Sequence, residues 1–142
     1  MFFNQMSRVH CVLLVDDDYT SNYLSRVMIE DTGFADHIYV SENGADALQF
    51  IEECYSDNGL VPAHLCPDLI LLDINMPVMD GFGFLEAFQQ MPLVRKENIS
   101  VVMLTSSVNR KDMERAHQYN IAGYLDKPLT EEKIKSLTNM RR

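Results

Sequence analysis

The sequence predicts a doubly wound α/β fold, a five-stranded parallel sheet covered by helices on both faces. Three observations carry that prediction. Short apolar runs alternate strictly with helical segments along a chain of 142 residues, a length that suits one domain with one core. The runs are apolar on successive positions, as strands buried on both faces must be. Asp16, Asp73 and Thr105 stand where three of the runs stop, and Lys127 follows the last.

The first strand is Val9 to Val15, cut off by Asp16, Asp17 and Asp18. Thr20 to Asp31 reads as a helix, with Tyr23, Leu24, Val27 and Met28 as its inward stripe and Gly33 as its stop. His37 to Val40 is a short strand. Gly44 to Tyr55 is the second helix, with Ala47, Leu48, Ile51, Cys54 and Tyr55 on one face. Gly59, Pro62 and Pro67 punctuate the loop from Ser56 to Pro67. Asp68 to Leu72 is a strand ending at Asp73. Gly81 to Gln90 is a helix with Leu85 and Phe88 inward, and Met91 to Asn98 is a loop. Ile99 to Leu104 is a strand ending at Thr105. Lys111 to Asn120 is a helix of weaker amphipathicity, and Ala122 to Leu125 is the last strand. Thr130 then caps a final helix running toward Met140, with Glu131 and Glu132 in its first turn, where carboxylates suit the helix dipole.

Crossovers in such sheets are right-handed. The first strand-to-helix turn has no G-x-G-x-x-G, which disfavours a dinucleotide-binding domain and leaves the flavodoxin-like (βα)5 order, 2-1-3-4-5. Residues 9–140 form this domain, and residues 1–8 are expected to be a flexible N-terminal extension.

Composition narrows the function. A net charge of −9 argues against direct nucleic-acid binding, which needs clustered Lys and Arg. The longest apolar runs are too short to cross a bilayer, and Met1 to Arg8 does not read as a signal peptide, so no membrane association is expected and a cytoplasmic location is. Cys11, Cys54 and Cys66 have no C-x-x-C spacing, and Cys11 reads as a small buried hydrophobe. His10, His37, His64 and His117 are scattered, without the pairing of a His-based metal site.

In an open parallel sheet, ligands bind beyond the carboxyl ends of the strands. In the order 2-1-3-4-5, strands 1, 3, 4 and 5 are neighbours, so Asp16, Asp17, Asp73, Thr105 and Lys127 converge on one edge. Three carboxylates beside a single Lys repel one another unless a cation joins them. An all-oxygen donor set suits a hard divalent ion, Mg²⁺ being the common choice. A carboxylate beside such an ion and a Lys is set up as a nucleophile toward a phosphoryl group. Each piece alone has a plainer reading: an Asp pair as a helix cap or turn, Thr105 with Ser106 and Ser107 as a capping run, Lys127 before Pro128 as a solvated loop residue. Their joint placement at different strand ends favours the site.

The blocks VLLVDDD at Val12 to Asp18, LILLDINMPVMDG at Leu69 to Gly81, VVMLTSS at Val101 to Ser107 and GYLDKPLT at Gly123 to Thr130 resemble the response-regulator receiver family of two-component signalling, including its chemotaxis-regulator-like members. The resemblance spans Val9 to Met140. It implies a phosphorylation switch in which Asp73 accepts a phosphoryl group, Asp17 ligates Mg²⁺ directly and Asp16 partly through water. The backbone carbonyl of Asn75 would be the third protein ligand. Thr105 would be the switch hydroxyl, Tyr124 the aromatic that turns inward with it, and Lys127 the partner of the phosphate, before a cis Lys127–Pro128 bond. Asn75 and Ser107 resemble the positions that tune phosphoryl lifetime. The implied partners are a histidine kinase or histidine phosphotransfer protein and a protein target reading the face of helix 4, strand 5 and helix 5. The only chemistry expected is the domain's own phosphoryl transfer and aspartyl-phosphate hydrolysis, so it is not expected to be an enzyme.

Departures from the pattern are few. Asp18 is a third acidic residue, able to cap the first helix or to shift the metal register by one. The loops 56–67 and 91–98 are long and are expected away from the site. No effector domain is legible after the last helix, which fits either a stand-alone regulator or an excised receiver. A phosphatase of the haloacid-dehalogenase type would need an Asp where Asn75 stands. A degenerate, phosphorylation-independent binding module would be expected to lack one of the positions that are all filled here. A flavin carrier would place a phosphate against Asp16 and Asp17.

Overall fold

The computed structural model describes residues 9–55, 66–92 and 98–140. Strand and helix alternate without exception: β1 (Val9–Val15), α1 (Tyr19–Thr32), β2 (Ala35–Ser41), α2 (Gly44–Cys54), β3 (Leu69–Leu72), α3 (Gly81–Gln90), β4 (Ser100–Thr105), α4 (Arg110–Ala116), β5 (Gly123–Asp126) and α5 (Glu131–Met140). The strands form one parallel sheet in the order β2-β1-β3-β4-β5, as the sequence predicts. The expected flexible extension 1–8, and the loops apart from residues 66, 67, 91, 92 and 98, lie outside the described residues.

Two cores follow from the period-2 alternation of strand side chains. Leu13, Val15, Ile70, Leu72, Val101 and Met103 pack with Ala47 and Ile51 of α2 and with Phe84, Leu85 and Phe88 of α3. On the opposite face, Val12, Leu14, Leu69, Leu71, Val102 and Leu104 pack with Ile29 of α1 and with Ile134 and Leu137 of α5. Full burial of each such Leu or Ile contributes roughly 1.5–3 kcal/mol. Cys11 is buried, as expected. Among the described residues no helix is long and apolar enough to cross a membrane.

The helix starts are written in capping residues. Asp18 accepts from the Thr20 amide, Asn43 from Asp46, Asp80 from Gly83 and Asn109 from Lys111. Thr130 accepts from the Lys133 amide, as the N-cap reading requires. Gly33 ends α1 in the left-handed region, at φ 67°, where a glycine costs least.

Three expectations are corrected. Tyr23 and Leu24 are 55% and 50% exposed rather than inward. The ridge of α1 that enters the core is Ser25, Ile29 and Thr32. Thr32 is tolerated there because its hydroxyl donates to the carbonyls of Met28 and Ile29. A count of apolar residues cannot see that two small polar residues let the helix lie close to the sheet. Helix α4 ends at Ala116, not Asn120, because the Gln118 and Tyr119 amides turn to the carbonyls three residues back, Arg115 and Ala116. The second strand begins at Ala35, because pairing with β1 extends it beyond its apolar residues.

Candidate functional site

Adjacent ladders place the ends of β1, β3, β4 and β5 on one edge. Val15 pairs with Leu72, Leu72 with Met103, and Thr105 with Asp126. The residues that follow each strand therefore meet.

The centre is Lys127. Its Nζ lies 2.6 Å from a carboxylate oxygen of Asp16 and 3.0 Å from Oδ2 of Asp73. Both carboxylates are buried, at 6% and 7% exposure. Their remaining oxygens accept backbone amides: Asp18 N–H to Asp16 at 2.9 Å and Ile74 N–H to Asp73 at 2.7 Å. Burial alone would push the Lys127 ammonium down. The hydrogen bonds it donates to Asp16 and Asp73 outweigh it and hold the group above the usual lysine range. Two carboxylates on one ammonium leave a negative excess in a place with little water.

Asp17 is exposed and lines a groove with Tyr19, Asn22, Tyr23, Arg26, Val40 and Glu42. Asp18 caps α1, accepting the Thr20 amide at 3.1 Å. Among the described residues no three His, Cys, Asp or Glu side chains close on a common point as a ready metal cage. The physical reason is visible: Lys127 stands between Asp16 and Asp73, and Asp17 faces solvent. The donor set nonetheless fits a hard divalent ion. It is all oxygen, carries an uncompensated negative charge, and is open to the water that Mg²⁺ keeps. Asn75, exposed two residues after Asp73, is the expected source of a backbone ligand.

Thr105 is fully buried at the end of β4. Its carbonyl accepts the Lys127 amide at 2.9 Å, and its hydroxyl oxygen accepts the Ser107 amide at 3.2 Å. Ser107 in turn donates its hydroxyl to Asp112 of α4 at 2.7 Å. Tyr124 of β5 donates its hydroxyl to the Ser107 carbonyl at 2.9 Å, so its ring reaches the loop after β4, and burial pushes its phenol up. The Lys127–Pro128 bond is cis.

Two supports escaped the sequence reading. Asn22 of α1 donates its side-chain amide to the Asp16 carbonyl at 2.8 Å, tying the acidic loop to the helix behind it. Gly81 lies so close to the Asp73 carbonyl that a Cβ would collide with it, and its amide donates to Ile74 at 2.8 Å. The glycine lets α3 start directly behind Asp73. The sequence shows Gly81 as the start of a helix, not as a close approach.

Comparison with known proteins agrees with this fold. The family model described as "Response regulator receiver domain" matches residues 12–139. A "Probable chemotaxis protein CheY" of Rhizobium etli is 34% identical over 125 residues, covering 88% of this chain and 86% of that protein. A two component response regulator from Cytophaga hutchinsonii superposes with a TM-score of 0.80 at 29% identity, covering 93% of this chain and 96% of the other. The Mn²⁺-bound form of the response regulator Rcp1 superposes with a TM-score of 0.67 at 27% identity, covering 92% and 90%.

Proposed function

The chain belongs to the response regulator receiver domain family, and from that premise we propose that it is a phosphorylation-dependent switch with Asp73 as acceptor. The observation that carries this is the pairing of Lys127 with Asp16 and Asp73, two buried carboxylates from different strand ends. Such an arrangement sets an Asp73 oxygen beside a cation at the carboxyl edge of the sheet. In the transfer, an Asp73 oxygen bonds to phosphorus as the phosphorus–nitrogen bond of a phosphohistidine donor breaks. The departing imidazole takes up a proton. Lys127 neutralises charge on the transferring oxygens. Asp16, Asp17, Asp73 and the Asn75 carbonyl would hold Mg²⁺, which when bound supplies further neutralising charge at the same oxygens.

Phosphorylation adds negative charge and acceptor oxygens beside the Thr105 hydroxyl. Movement of that hydroxyl toward the phosphoryl group would free the Ser107 amide. Ser107 also holds Asp112 and Tyr124, so the surface of α4, β5 and α5 changes and a target protein reads it. This is a population shift between two packings. Asn75 and Ser107 would set phosphoryl lifetime. The partner upstream is a histidine kinase or phosphotransfer protein, and the setting is the cytoplasm. The domain turns over no substrate beyond its own aspartyl phosphate.

The test is intact-mass spectrometry after incubation with acetyl phosphate. The wild type should gain one phosphoryl group when Mg²⁺ is present, and Asp73→Asn should gain none. An equal gain by Asp73→Asn contradicts the assignment. No gain by the wild type would point instead to a phosphorylation-independent binding module.

A further inference from the structure

We infer that Lys133, which lies outside the acceptor cluster, is the positioning residue that aims Lys127. The inference rests on the functional reading above. Lys133 is in the first turn of α5, and its Nζ turns back toward the end of β5. It donates to the Asp126 carbonyl at 2.7 Å and to the Pro128 carbonyl at 3.1 Å. It also pairs with the Asp126 carboxylate at 3.0 Å. An ammonium has three protons, and here three acceptors receive them.

The two carbonyls flank Lys127 in the chain. The amide of Lys127 itself donates to the Thr105 carbonyl at 2.9 Å. The backbone carrying the lysine is thus held from β4 on one side and from α5 on the other, while its side chain is left to reach Asp16 and Asp73. Lys133 is itself anchored: its amide donates to the Thr130 hydroxyl at 3.2 Å, and its carbonyl accepts the Ser136 hydroxyl at 2.6 Å. Its side chain is largely covered, at 24% exposure, whereas that of Asp126 is 60% exposed. All three contacts lie at the surface, but only the two carbonyls belong to the backbone that carries Lys127. All three are charge-assisted through the ammonium, but an ion pair to an exposed carboxylate adds little.

This arrangement separates two properties. Lys127 contacts the transferring phosphoryl oxygens, so misplacing it slows transfer. Metal affinity depends on Asp16, Asp17 and Asp73, whose positions come from β1 and β3. Lys133→Met should slow phosphorylation by acetyl phosphate about tenfold, in keeping with the rate cost of a displaced catalytic group. Mg²⁺ affinity, measured by titration calorimetry on the same protein, should not fall. Asp126→Asn, which keeps both carbonyl contacts, should phosphorylate at the wild-type rate. Lys133→Gln is measured beside Lys133→Met and replaces it if the Met variant does not fold.

A wild-type rate in the Lys133 variant overturns the inference. So does a slowed rate accompanied by an equal loss of Mg²⁺ binding, which would mark a general disturbance of the fold. Slowing by Asp126→Asn as large as that by Lys133→Met assigns the effect to the ion pair and overturns it too. A wild type that gains no phosphoryl group removes the functional reading itself. A phosphorylated wild type with an equally fast Lys133 variant removes this inference alone.

Discussion

The two ends of the sheet each gather reactive side chains, and they treat them in opposite ways. At the amino end, Cys11 of β1, Cys54 of α2 and Cys66 before β3 are all buried. The Cys66 thiol donates to the Cys54 carbonyl at 3.2 Å, and the Tyr55 hydroxyl donates to the Pro67 carbonyl at 2.6 Å. Burial pushes the Cys11 thiol up to about 12, and raises Cys54 and Tyr55 as well. At the carboxyl end the buried groups are the carboxyl side chains Asp16 and Asp73, Lys127 bridges them, and the exposed Asp17 stands beside them. Both ends show convergence from several elements. Only the carboxyl end pairs its buried carboxylates with a cation and borders solvent through Asp17, and that is what separates a site from a packed core.

The largest expected difference between the ends concerns Lys127. Lys127→Met leaves Asp16 and Asp73 buried without a counter-charge and should destabilise the fold by about 3 kcal/mol, read from urea denaturation at neutral pH. The pH dependence has a definite sign. The folded-state value of Lys127 lies above its ordinary 10.5. Its stabilisation is therefore complete below pH 10.5 and is lost as pH rises through the folded value. The wild type should lose this increment in strong alkali, and Lys127→Met should lack that step. Equal stability of the two proteins at neutral pH would break the comparison.

The next effect is at the thiol end. A thiol near 12 rather than its ordinary 9.0 has roughly a thousandfold less thiolate at neutral pH. Iodoacetamide should label Cys11 in the folded protein slower than in urea by at least that factor. Labelling at the unfolded rate would show that the thiols are as open as the acidic edge.

The smallest effect concerns backbone strain at the carboxyl end. Val78, in the loop between Asp73 and α3, has φ 67°, a region that β-branched residues avoid. Its side chain is exposed, so nothing in the core requires valine. Val78→Asn should stabilise the protein by about 1 kcal/mol, measured as a rise in Tm. A fall would mean that the valine makes a contact worth more than the strain.

The strands and the residues at their carboxyl ends were legible because burial on both faces writes a continuous apolar run, and a polar residue must stand where burial ends. Asp16, Asp73, Thr105 and Lys127 all came out of that rule, together with the order of the sheet. The faces of α1 did not, because Tyr23 and Leu24 carry the apolar signal while Ser25 and Thr32 do the packing. Asn22 and Lys133 were illegible for a related reason. The contacts that matter for the site go to backbone carbonyls, which leave no trace in residue type and are brought within reach only by the tertiary path of the loops. Asp18 had two readings in the sequence, and the cap is the one with a visible partner, the Thr20 amide at 3.1 Å.

The central claim is that phosphoryl transfer ends on one particular carboxylate. Borohydride reduces an acyl phosphate to an alcohol, so an aspartyl phosphate becomes homoserine at its own position. Peptide sequencing by mass spectrometry after acetyl phosphate and borohydride treatment should find homoserine at position 73. Homoserine at position 16, 17 or 18, with Asp73 intact, would contradict the account.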